Sequence, residues 1–75
     1  MTLTLDRIRA DVADCLGEEA ADIPVDENLV DYGLDSVRVM ALLERWRREY
    51  DIKADFADLA ERPAVEAWAA LLGAA

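Results

Sequence analysis

The sequence has no histidine, and only one cysteine, one lysine and one serine among its 75 residues. Each scarcity removes a class of chemistry. With Cys15 alone, no internal disulfide can form. Without histidine or a second thiol, a metal cluster of the cysteine–histidine kind is not expected. A serine nucleophile usually needs a base such as histidine to activate it, and Lys53 lies beyond the end of the helix that Ser36 opens. Aromatic residues make up 7% while hydrophobic residues in total make up 55%. The apolar surplus is therefore aliphatic and alanine, which suits a small helical bundle better than a β-sandwich. No apolar run approaches the roughly 20 residues that span a membrane. No basic segment followed by an apolar run opens the chain, so no signal peptide is expected and the cytoplasm is the expected location.

A chain of this length makes one domain, residues 1–75. Its core supplies only a few kcal/mol, roughly 3–5 at this size, which argues against a deep active site. The net charge of −9 disfavours binding to nucleic acid. That charge is uneven. Residues 1–36 hold ten acids and two bases, residues 37–50 hold four bases and two acids, and residues 51–75 have a net charge of −3. A reversal of sign within so short a chain predicts distinct surfaces for distinct partners.

Hydrophobic periodicity predicts three helices. The first runs from Leu3 to Leu16, with Leu5, Ile8, Val12, Cys15 and Leu16 on one stripe. Asp6 lies near its positive end, and Gly17 is a natural stop. Cys15, on the stripe, reads as a buried small hydrophobe. The second helix runs from Ser36 to Tyr50, with Val39, Leu42, Leu43, Trp46 and Tyr50 facing the core. The third pattern spans Pro63 to Leu72, with proline at the first helical position and Ala64, Val65, Trp68, Leu71 and Leu72 on one broad face. Asp55–Leu59 has room for a further short helix. The connection from Glu18 to Asp35 is acidic and long for a domain of this size, a feature common in functional loops. Ile23, Val25, Leu29, Val30 and Leu34 are expected to tether it, with a helical turn near Glu27–Tyr32. An EF-hand calcium loop starting at Asp26 would need glycine at its sixth position and glutamate at its twelfth. The sequence has Asp31 and Val37 there, so that reading is rejected.

Gly33-Leu34-Asp35-Ser36 stands where the long loop meets the second helix. Gly33 permits a left-handed backbone, Asp35 sets a carboxylate beside the hydroxyl, and a helix N-terminus suits a phosphate. From the tetrapeptide alone two readings stay open: a helix cap made by Asp35 or Ser36, or a modification site. On the helix itself, a step of about 100° per residue puts Val37, Met40 and Ala41 opposite the core stripe. Either the loop folds over them or they form a docking patch, for which methionine is well suited. Arg38 and Arg45 flank that patch and are expected to meet acidic groups on a partner.

The run Asp26-Glu27-Asn28-Leu29-Val30-Asp31-Tyr32-Gly33-Leu34-Asp35-Ser36 resembles the attachment motif of phosphopantetheine-dependent carriers. Asp35-Ser36-Val37-Arg38-Val39-Met40-Ala41-Leu42 and Arg45-Trp46-Arg47 resemble, more narrowly, the aryl carrier domains of nonribosomal siderophore assembly, which are often fused to an isochorismatase. Asp55-Phe56, Leu59-Ala60, Pro63, Ala67-Trp68 and Leu71-Leu72 continue the likeness, which covers Asp26 to Leu72. The resemblance implies an all-α, four-helix bundle of the acyl-carrier type, with a long first loop and a short third helix. It also implies a noncatalytic monomer with 4′-phosphopantetheine, drawn from coenzyme A, on Ser36, and with Gly33, Leu34 and Asp35 around the attachment point. The cargo would be an aryl acid such as salicylate or 2,3-dihydroxybenzoate. The partners would be a phosphopantetheinyl transferase, an aryl-acid adenylating enzyme and a condensation or cyclisation domain, meeting Val37, Arg38, Met40 and Ala41. Two features depart from the usual setting. The sequence begins at Met1 with no isochorismatase portion, so a free-standing carrier and an excised one are both expected readings. Residues 37–50 are net positive, unlike the acidic second helix of fatty-acid carriers. A free-standing peptidyl carrier holding an aminoacyl thioester is the alternative, and a module whose Ser36 is only a cap is the remote one.

Overall fold

The computed structural model describes residues 2–74. Four α-helices, α1 (Leu5–Leu16), α2 (Ser36–Tyr50), α3 (Phe56–Glu61) and α4 (Val65–Leu71), form a bundle, with no strand among the described residues. Short 3₁₀ turns at Ala20–Asp22 and Leu29–Tyr32 interrupt the long first connection. The expected all-α bundle with a long first loop and a short third helix is what forms. Helix α1 packs against α4 and α2, and α3 packs against α2.

Local chemistry accounts for most helix ends. Thr4, not Leu3, opens α1: its extended backbone and its side chain, which accepts from the Arg7 N–H at 3.1 Å, make it the cap. Leu3 therefore lies outside the helix, yet it is buried. Gly17 closes α1 in the left-handed region, at φ 70°. Helix α2 begins at Ser36 and ends at Tyr50 as expected, and Asp51 adopts the left-handed conformation just past it. Helix α3 runs two residues further at its C-terminal side than the pattern suggested and starts one residue later, with Asp55 as its cap, and the Asp58 carboxylate accepts the Asp55 N–H at 3.1 Å. Pro63 is not the first residue of α4. Ala64 remains extended as the cap and Val65 comes first. The Pro63 carbonyl instead accepts the Leu29 N–H at 2.7 Å, which holds it in the connection.

The core joins Ile8, Val12, Leu42, Leu43, Trp46, Leu59, Val65 and Trp68 with Ile23, Leu29 and Leu34 from the loop. The two indoles meet edge-to-face, with ring centroids 5.9 Å apart at 73°, a favoured aromatic geometry. Each buried indole N–H has a partner. Trp68 Nε1 donates to the Leu59 carbonyl at 2.8 Å and Trp46 Nε1 to Asp11 Oδ2 at 2.9 Å. Asp11 is buried on the apolar stripe of α1, where the sequence pattern assigned it no part. Arg7 Nε lies 3.2 Å and Arg45 Nη2 3.6 Å from Asp11 Oδ1, so the buried carboxylate is paired and hydrogen-bonded, as burial of a charge requires.

The loop is tied down by polar bonds as well as apolar ones. Arg9 donates to the Ile23 carbonyl at 2.7 Å and to the Ala21 carbonyl at 3.4 Å. The Glu66 N–H donates to the Val25 carbonyl at 2.9 Å. Of the five expected tethers, Ile23, Leu29 and Leu34 are buried and Val25 is half-buried. Val30 is 57% exposed and tethers nothing, because the 3₁₀ turn points it away while Leu29 points in. Leu71, expected on the buried face of α4, is also exposed. Cys15 is half-buried rather than buried.

Removing the Asp11 carboxylate would leave the Trp46 N–H buried without an acceptor, which costs about 1–3 kcal/mol. Asp11→Ala is therefore expected to lower the denaturant midpoint clearly. Trp46→Ala, at about 3–5 kcal/mol, is expected to abolish the cooperative transition. Urea titrations followed by circular dichroism check both, and an Asp11→Ala chain of wild-type stability would show the buried bond to be incidental.

Candidate functional site

The segment 29–36 brings the predicted site together at the head of α2. Asn28 caps the 3₁₀ turn by accepting the Val30 N–H at 2.9 Å. Gly33 ends the turn at φ 100°, in the left-handed region that favours glycine. The Leu34 N–H then returns to the Leu29 carbonyl at 3.2 Å and the Leu34 side chain enters the core. Asp35 is extended, and its Oδ1 accepts the Arg38 N–H at 2.9 Å. Asp35, not Ser36, is thus the helix cap. Ser36 is the first residue of α2 and is exposed, and no capping role accounts for its hydroxyl.

A small apolar cleft of about 150 Å³ lies beside this point, lined by Val30, Leu34, Val39, Phe56, Ala60 and Pro63 together with Asp35 and Ser36. Two larger hollows, about 390 and 490 Å³, lie around α3 and α4 and include none of the residues 33–36. Size alone would favour those. Neither holds the exposed serine, and the smaller cleft does.

The outer face of α2 is open. Val37 is 76% exposed, Met40 is 38% exposed and Ala41 is exposed as well. The loop does not fold over them, because its own apolar residues are drawn to the opposite side by Leu29 and Leu34. Val30 and Tyr32 of the preceding turn are exposed too. The two arginines expected to flank this face are engaged within the chain. Arg38 Nη1 donates to Asp35 Oδ2 at 2.8 Å. Arg45 lies near Asp11, Asp14 and Glu49 at 3.6–3.9 Å, turned toward α1 rather than outward.

Cys15, at the end of α1, has its thiol pKa raised above the ordinary 9.0. Burial is the main cause, with Arg38 pulling the other way and Asp35 and Asp14 adding to the rise. The thiol is therefore protonated at neutral pH, the unreactive form. Among the described residues no group of three or more His, Cys, Asp or Glu side chains is placed to hold a metal ion.

The sequence profile described as "Phosphopantetheine attachment site" matches residues 6–72. The chain is 49% identical over 69 residues to an isochorismatase of Bacillus subtilis, covering 92% of this chain and 22% of that protein. It is 51% identical over 67 residues to the phenyloxazoline synthase MbtB of Mycobacterium tuberculosis, covering 89% of this chain and 5% of that one. It is 42% identical over 72 residues to the acyl carrier protein ScoB of Streptomyces coeruleorubidus, covering 96% of this chain and 84% of ScoB. The chain thus spans under a quarter of the first two relatives and most of the third. With the helical bundle and a profile match over nearly its whole length, the chain belongs to the phosphopantetheine attachment-site family, noncatalytic carriers of covalently attached 4′-phosphopantetheine.

Proposed function

We propose that Ser36 carries the 4′-phosphopantetheine and that the group held on it is an aryl acid of the salicylate or 2,3-dihydroxybenzoate type. The observation that carries the first half is the exposure of the chain's sole serine at the head of α2, with Asp35 already serving as cap. Gly33 and Leu34 fix the approach to it, and the adjoining apolar cleft gives the root of the arm an apolar wall. The residues there fit the group. In the attachment reaction, Ser36 Oγ forms the new bond to the β-phosphorus of coenzyme A. The pyrophosphate bond breaks, 3′,5′-ADP leaves, and the hydroxyl proton passes to a base on the transferase, since this chain has no histidine to take it. When attached, the arm supplies the thiol that holds the acyl group as a thioester. What the chain contributes is a fixed attachment point and a docking surface, so that a tethered acyl group reacts at high effective concentration.

The aryl cargo rests on the run from Asp35 to Leu42 and on the likeness to a phenyloxazoline synthase and an isochorismatase. Carriers of this family work with phosphopantetheinyl transferases and synthetase enzymes. Here the specific partners would be an aryl-acid adenylating enzyme and a condensation or cyclisation domain. The chain would act as one monomeric domain over residues 1–75, in the cytoplasm, where coenzyme A is at hand. No helix among the described residues is long and apolar enough to cross a membrane. The likeness to ScoB over most of that protein's length favours a second reading, a carrier that stands alone, and an aminoacyl thioester is its competing cargo. Offering the modified chain to aryl-acid and amino-acid adenylating enzymes, with thioester formation followed by mass, separates the two cargoes.

Two variants test the site and the surface. Ser36→Ala removes no cap, so its stability is expected to stay within about 0.5 kcal/mol of wild type. It is also expected never to gain the pantetheine mass on incubation with coenzyme A and a transferase. Mass gain by this variant would place the attachment elsewhere. Met40→Asp is expected to melt within a few degrees of wild type, since its side chain is partly in water. A charge at the centre of a docking patch costs about 1 kcal/mol or more, roughly fivefold in affinity, so loading by the adenylating enzyme or transfer to the next domain is expected to slow by at least that factor. Unchanged rates with every partner would remove Val37, Met40 and Ala41 from the docking surface.

A further inference from the structure

Arg38 is the cation at the head of α2, and it reaches back along the helix. Its backbone N–H donates to Asp35 Oδ1 at 2.9 Å and its Nη1 to Asp35 Oδ2 at 2.8 Å. Ser36 follows Asp35 directly in the chain. Both partners of the ion pair are about half in water, at 45% and 53% exposure. Such a pair contributes little to stability, so stabilising α2 is a weak reason for its geometry.

The inference rests on the reading of Ser36 as the attachment residue. A phosphodiester on Ser36 Oγ sets a second negative charge one residue from the Asp35 carboxylate. The positive end of α2 amounts to about half a charge and so balances only part of the two. One of its free N–H groups, that of Arg38, is already taken by Asp35. A guanidinium carries five N–H donors in a planar fork, of which Asp35 accepts one from Nη1. Most other arginines are held elsewhere: Arg7 and Arg45 at Asp11, Arg9 on loop carbonyls, and Arg47 on the Ala54 carbonyl and near Asp55. We propose that Arg38 is a positioning residue whose guanidinium bridges the Asp35 carboxylate and the phosphodiester on Ser36. It thereby orients the root of the arm against the start of α2. Arg38 then faces inward to the modification, in place of the partner contact its position on the outer helix suggested.

The test compares the ¹⁵N-labelled chain before and after modification with coenzyme A and a transferase. Intact mass, with Ser36→Ala as the control, first establishes where the group is. Absence of mass gain on the wild type, or gain on Ser36→Ala, sinks the reading of Ser36 and with it this role for Arg38. With the mass on Ser36, two signals are read. The Arg38 Nε–Hε cross-peak is expected to move by well more than its line width on modification. The phosphorus resonance of the modified chain is expected to shift in Arg38→Ala and to fall between the two in Arg38→Lys, with circular dichroism confirming that each variant is folded. A cross-peak at the same position in both forms overturns the proposal, as does a phosphorus resonance indifferent to Arg38→Ala. If the transferase fails to modify Arg38→Ala, the wild-type cross-peak alone decides.

Discussion

The bundle depends on one buried carboxylate. Asp11 sits on the face of α1 that should be apolar, and it holds the indole N–H of Trp46 at 2.9 Å. Because Trp46 in turn meets Trp68 edge-to-face, that single acceptor links α1, α2 and α4. An unpaired charge at this position would be destabilising by several kcal/mol. Arg7 and Arg45 prevent this by closing over it from the solvent side. The rotation of α2 about its own axis follows from this arrangement. With Trp46, Leu42, Leu43 and Val39 turned in, Val37, Met40 and Ala41 must point out.

That division of α2 into two faces gives the helix two separate duties. Its inner face belongs to a core that carries nearly all of the apolar burial. Its outer face is free of any structural role and so is available to whatever must recognise the carrier. The same separation holds at the head of the helix. Capping is done by Asp35, which leaves the serine hydroxyl without a structural task. A noncatalytic carrier needs this arrangement, because its working groups are handled by other proteins and have to be reachable without unfolding anything.

Much of this was legible in the sequence. The bounds of α2, the burial of both tryptophans, the left-handed Gly33 and the exposure of Val37 and Met40 follow from periodicity and residue chemistry. What was not legible depended on contacts between distant parts of the chain. Asp11 looks like an ordinary surface acid in a helix rich in acids, and only the indole of Trp46, 35 positions away, makes it a core residue. An acid at an i, i+3, i+4 position of an apolar stripe was the available signal. Pro63 has the local chemistry of a helix start, yet its carbonyl bonds to Leu29 across the fold and α4 begins two residues later. The place of Arg45 on the helix allows it to face outward, and three acids from within the chain draw it back. Val30 differs from Leu29 only in which side of a 3₁₀ turn it falls on, which a four-residue element does not reveal through periodicity.

The two buried leucines that bracket the entry to α2 have a mechanical consequence. Leu29 is sewn to the Pro63 carbonyl, and Leu34 is set into the core two residues before Ser36, with Val39 buried three residues after it. The backbone at Ser36 is thus clamped from both sides although the side chain is in water. Anything bonded to that hydroxyl swings from a stationary hinge pin rather than from a trailing thread. Its reach is then bounded by a shell of fixed radius about one point of a body only 27 × 22 × 19 Å across. Small size becomes an asset in this geometry, since little of that shell is shadowed by the body that holds the pivot.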